Sequence, residues 1–192
     1  VPDISDPINY YCLGAFPWEE SILDPADLNH ELELQHNLLQ RLLEKYEELA
    51  AADPDAVPDQ IIGWIPENSG YGYGHATGEV GPPYTVVILH EGCLWGATAH
   101  EIGHNLGRGH SWQDRNNPWY DDPAGTENFT HTYGFDTQLF TVLPPTYGDI
   151  ESYMYKTRWI SPYTWEGLVE RLAPGGGFRA SLGETQSFSV GL

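Results

Sequence analysis

The chain is poor in positive charge. Two lysines, Lys45 and Lys156, and eight basic residues in all stand against 28 acidic ones, for a formal charge of −20 over 192 residues. So anionic a surface repels phosphate backbones and anionic lipid, which argues against nucleic acid as a partner. No apolar run approaches the ~20 residues of a bilayer crossing, so no membrane span is expected. Cysteine is nearly absent. Cys12 and Cys93 form no CxxC pair and have no histidine beside them, which makes a thiol enzyme a poor reading and leaves one disulfide or two thiols as alternatives. There is no repeat period, and the glycines of the loop Ser69 to Gly81 lack the strand-to-helix setting of a phosphate cradle, so nucleotide binding falls away.

What is present suffices for one domain. Hydrophobic residues at 40% can build a core, and glycine with proline makes about 19% of the chain against a usual ~12%, which predicts long loops. Residues 8 to 16, rich in aromatic and apolar side chains and ended by Pro17, read as a first strand. Asp24 and Pro25 can start a long helix in which Leu28, Leu32, Leu39, Leu42, Tyr46 and Leu49 recur at three- and four-residue steps to about Ala52, with His30 and His36 on its solvated side. Gln60 to Ile65 and Tyr84 to Leu89 are β-branched runs flanked by proline and glycine, and read as strands. The order strand, helix, strand, strand, helix fits an α+β, layered domain. A domain over 1–173 would be followed at 174–192 by the linker Pro174-Gly175-Gly176-Gly177 and by Gln186 to Leu192, either a last strand or the stub of another domain. The chain begins at Val1 with neither a starting methionine nor a charged-then-apolar leader, and reads as a mature or excised segment.

The chemistry lies in the helix-permissive segment Cys93 to Leu106. His100, Glu101 and His104 are followed by Gly107 and His110, which completes HExxHxxGxxH. Helix positions i and i+4 are about 40° apart in azimuth, so His100 and His104 can grip one ion, while Glu101, about 100° away, is placed to serve as a base rather than a third ligand. Gly107 can take a left-handed conformation, end the helix and swing His110 under the ion. Three neutral imidazoles leave a coordination position open, as in catalytic rather than structural zinc sites, and zinc would lower the pKa of a water there toward ~7.

At these residues the chain resembles the metzincin clan of zinc metalloproteases, matching its HExxHxxGxxH at every fixed position. The resemblance implies a metzincin-like fold with a mixed sheet, a long backing helix, an active-site helix and a loop-rich lower half. It implies that His100, His104 and His110 bind zinc and that Glu101 is the general base and acid. The clan also has a methionine-containing turn beneath the metal, and two registers are open for it. Met154, the only methionine, can be the turn residue, with Tyr155 after it. Alternatively, Asp149-Ile150-Glu151-Ser152-Tyr153 with Arg158-Trp159-Ile160-Ser161-Pro162-Tyr163 is similar to the Asp-Ile-Met-Ser-Tyr…Trp-Ile-Ser-x-Tyr pattern of poorly characterised secreted metzincins. Glu151 then replaces the methionine, and Tyr153 takes the place from which some members lend a phenol. A buried Glu151 below a cation is costly unless paired.

The reading that follows is an extracellular, monomeric zinc metalloendopeptidase acting on protein or peptide, whose extended substrate pairs with an edge strand above the site helix. The alternative is an adhesion or recognition module that keeps the metal and has lost turnover; Glu101 argues against it. Asp114, Asp121 and Asp122 are candidate carboxylates for a structural calcium ion, though without the ordered spacing of a calcium loop. His75 and His131 read as loop histidines and His90 as an edge-strand one. Ser161 and Pro162 can start a final helix to about Leu172, with Trp159, Tyr163, Trp165, Leu168, Val169 and Leu172 as core.

Overall fold

Leucines at helical spacing give α1 (Leu28–Ala52) one buried face. Leu39 and Leu42, with Leu38, Tyr46 and Leu49 around them, pack on Ile61 and Ile65 of β1 (Ile61–Ile65). The opposite side carries Arg41–Glu44 and Lys45–Glu48 ion pairs, and His36 is exposed as expected. The structure is a computed structural model and describes residues 12, 14–15, 28–54, 58–65, 75–76, 86–90, 95–154 and 157–172. The expected first strand (apart from residues 12 and 14–15), the Asp24 and Pro25 start, Cys93, Tyr155, the linker at 174–177 and the segment Gln186 to Leu192 lie outside these residues. Cys12 is exposed and its thiol is free.

The sheet is mixed. β3 (Val86–His90) lies between β1 and β2 (His75–Ala76), parallel to β1 from Ile61↔Val86 to Ile65↔His90 and antiparallel to β2 at His75↔Ile88 and Ala76↔Val87. Strand alternation then divides the apolar side chains between two faces. Ile61 and Ile65 meet α1, whereas Ile62 joins Val87 in meeting Ala97 and Ile102 of α2 (Trp95–Asn105). The site helix therefore lies across the sheet from α1. Two expectations change here. His75 belongs to a short strand rather than a loop, and the strand that His90 ends, β3, is the central rather than an edge strand among the described residues.

Beyond α2 the chain is mostly loop, with β4 (Gly134–Asp136) antiparallel to β5 (Thr141–Leu143) and β6 (Gly148–Asp149) parallel to β7 (Arg158–Trp159). Arg158 donates to Gly96 O (3.1 Å), tying this lower part to the start of the site helix. α3 (Pro162–Leu172) begins as expected: Pro162 is its first residue and Ser161 Oγ accepts the Thr164 N–H (3.1 Å). The expected core face is only partly right, because Trp165 and Leu172 are more than half exposed. The helix is anchored instead by its polar first turn, where Ser161 and Thr164 are buried and bond Asp149.

Leu39, 2% exposed between helix and sheet, is the clearest test of this packing. Leu39→Ala should cost about 2–5 kcal/mol in chemical unfolding, the range for a buried leucine; a cost under about 1 kcal/mol would mean that α1 is not seated on β1.

Candidate metal centre

Helix α2 ends where its sequence demands. Gly107 has φ +82°, its N–H bonds His104 O (2.9 Å), and the Arg108 N–H bonds Gly103 O (2.9 Å), the paired closure of a left-handed helix end. The chain then turns back and brings His110 to His100 and His104. One ligand atom from each of the three lies within 4.8 Å of the others, and the Nε2 atoms of His100 and His104 are 3.1 Å apart. A tetrahedral ion with bonds of about 2.0–2.1 Å to nitrogen would hold its ligand atoms about 3.3 Å apart. The spacing of this pair suits such an ion.

Each imidazole is aimed by its other nitrogen. His100 Nδ1 donates to Ile150 O (2.8 Å), His104 Nδ1 to Arg108 O (2.7 Å) and His110 Nδ1 to Gln113 Oε1 (3.0 Å). All three acceptors are oxygens that cannot donate, so the ring proton sits on Nδ1 and the lone pair is carried by Nε2. Burial, and next to it the neighbouring His104, pushes the His100 imidazole down to about 3, so that it is neutral at physiological pH. Three gathered imidazoles, each with its Nδ1 engaged by an oxygen, are the donor set of a transition metal. Glu101, adjacent to His100, is buried.

Beneath the histidines runs the turn 149–152, held by one buried carboxylate. Asp149 accepts from the N–H groups of Glu151 (2.8 Å) and Ser161 (2.8 Å) and from the Thr164 hydroxyl (3.0 Å). Glu151, only 1% exposed, lies 3.4 Å from His100 Nδ1 and 3.6 Å from His104 Nδ1. Neither approach is an ion pair, because His100 is neutral and burial, with Asp149 and Glu101 adding to it, pushes the Glu151 carboxyl well up. Both its oxygens lack a hydrogen-bond partner. Glu151 is thus the residue beneath the His100 and His104 rings, while Met154 lies over Gly148.

Tyr153, half exposed, stands 4.9 Å from the His110 ring and 6.0 Å from that of His100. Trp112 stacks flat on His110 (4.4 Å, 8°) and touches Tyr153 at 4.5 Å. The chain's motif pointed to His100, Glu101, His104 and His110, and the three histidines meet. Gln113 and Trp112 were missed, although a side-chain acceptor three residues after His110 was readable as its orienting partner. Asp114, Asp121 and Asp122 do not come together: among the described residues only the three histidines gather as a cluster of side-chain ligands. Asp122 is taken up by Ala124 N–H and the Thr126 hydroxyl, and Asp114 by Tyr163, while Asp121 is exposed. His131 bonds Thr126 O and stacks on Trp119 at 4.0 Å.

Compared with protein-family models, with curated proteins and with solved structures, the chain gives no match. The case for this centre therefore stands on its own residues.

Two tests follow. A Cβ at Gly103 would run into the Glu151 carboxyl, so Gly103→Ala should destabilise the chain by about 1–3 kcal/mol through overpacking, and Glu151→Ala should remove most of that cost in a double-variant unfolding cycle; additive costs would contradict the contact. Glu151 is raised in the folded state from about 4.5, so its contribution to stability is present below that pH and lost as pH rises through the raised value. His100 runs the other way: its contribution is present above about 6.5 and lost as pH falls toward 3. In the metal-free chain Glu151→Gln should therefore raise the thermal midpoint at pH 8 and leave it unchanged at pH 4, with each kcal/mol gained worth about 2–4 °C. Equal midpoints at pH 8 would contradict the buried acid.

Proposed function

We propose that the chain is a zinc-dependent metalloendopeptidase of metzincin type, with Glu101 as its general base and acid. The observation that carries this is the set of three histidines whose Nδ1 atoms are each engaged by an oxygen, in a motif that also supplies an adjacent carboxylate. His100, His104 and His110 would hold the ion. Zinc, when bound, supplies a Lewis acid for a scissile carbonyl and makes water nucleophilic near neutral pH. Glu101 takes a proton from the attacking water and returns it to the leaving amine. Tyr153, whose exposed ring stands beside His110, is the candidate donor to charge developing on the carbonyl oxygen.

An extended peptide would add its backbone to β2, an edge strand among the described residues, against which α2 packs. No helix is long and apolar enough to cross a membrane among the described residues. An extracellular site of action and a monomeric enzyme belong to the same proposal. The low lysine count and acidic surface suit a calcium-containing or high-salt exterior.

Hydrolysis of an unfolded protein mixture, with and without chelator and beside Glu101→Gln, tests the reading. Chelator should abolish cleavage, and Glu101→Gln should lose about 10²–10⁴-fold in rate while keeping its metal. Zinc retained without chelator-sensitive cleavage would favour the binding module instead. Metal-dependent turnover of small amides with no cut in a peptide library would point to a non-peptide substrate.

A further inference from the structure

We propose that the first turn of α3 is part of the metal centre, with Tyr163 positioning His104 and His110 through Asp114 and Arg108. This rests on the reading that the three histidines hold a metal. The segment from Arg108 to Asp114 has His110 inside it, and both its ends meet the same α3 side chain. At one end the Arg108 guanidinium lies 4.4 Å over the Tyr163 ring, and the carbonyl of the same residue is the acceptor that orients His104. At the other end the Tyr163 hydroxyl donates to Asp114 Oδ2 (2.6 Å), while the Asp114 N–H donates back to His110 O (3.0 Å). Arg108 and Asp114 close the ring at 3.7 Å.

An ion pair in water would contribute little, but these two side chains are only 13% and 16% exposed. Gly167, one turn after Tyr163, leaves the space that the guanidinium fills. The same turn of α3 holds the other acceptor as well. Asp149, bonded to Ser161 and Thr164, fixes the start of the turn that presents Ile150 O to His100. Ser161 to Thr164 therefore lies behind both backbone carbonyls that aim the paired imidazoles. A ring nitrogen's partner sets the direction of the ligand atom opposite, and losing such partners typically weakens metal binding 10–100-fold. Tyr163 acts through Asp114 and Arg108, so it is a positioning residue.

The test uses the full chain as wild type, Tyr163→Phe and Asp114→Asn, with Trp165→Ala as a control at an exposed site of the same helix. Zinc affinity is measured by competition with a chelating dye, geometry by the visible absorption of the cobalt-loaded protein, and fold by thermal unfolding of the metal-free forms. Both variants should bind zinc at least 10-fold more weakly and change the cobalt absorption, with metal-free midpoints close to wild type, and Trp165→Ala should match wild type throughout. Unchanged affinity and spectrum in both variants would overturn the proposal. So would a loss of affinity accompanied by an equal loss of metal-free stability, which marks a purely structural clamp. A wild-type chain that itself retains neither zinc nor cobalt would overturn the underlying metal reading and the proposal together.

Discussion

Everything at this centre depends on three hydrogen bonds on the far side of the rings. A histidine has two nitrogens, and which one is free to bind a cation is decided by what the other touches. Here Ile150 O, Arg108 O and Gln113 Oε1 each take the Nδ1 proton, so Nε2 is the nitrogen each ring has left to offer a cation. Two of these acceptors are backbone carbonyls, and they come from two separate stretches of chain: one from the turn 149–152, one from the segment that follows Gly107. The fold's task is to keep those two strips of backbone in register with α2, and Asp149, Arg108 and the first turn of α3 are the means.

Glu151 sets this centre apart from the pattern it resembles. A methionine under three imidazoles fills space and carries no charge; a carboxyl of similar length adds two oxygens that find no hydrogen bond. Burying such a group is costly unless it is neutral or faces a cation. In the metal-free chain the first route is taken, since burial and the nearby Asp149 and Glu101 hold its proton on. The glycine at 103 is the other half of this arrangement, because the site helix can pass over the carboxyl only where it has no side chain.

Much of this was readable in the residues. The period of α1 named the leucines that face the sheet, Gly107 announced the left-handed turn, and Ser161-Pro162 marked the start of α3. The spacing of His100, His104 and His110 foretold their meeting because a helix and one sharp turn suffice to bring it about. What stayed hidden depends on long closures. Ile150 is 50 residues from the histidine it orients, and nothing local distinguishes Glu151 from Met154 as the residue beneath. The strands β4 to β7 have two or three residues each, too few to show an alternation, and His75 pairs with Ile88 in a stretch that reads as loop. Tyr163 looks like core by its ring and acts through its hydroxyl; Trp165 looks like core and is not, because α3 docks by its polar end.

The central claim is that three Nε2 atoms share one transition-metal ion, and anomalous X-ray diffraction from crystals of the purified chain, recorded on both sides of the zinc absorption edge, tests it most directly. The account predicts one full-occupancy peak about 2.0–2.1 Å from Nε2 of His100, His104 and His110. A histidine cluster with no anomalous peak after gentle purification, or a metal held by other groups, would contradict it.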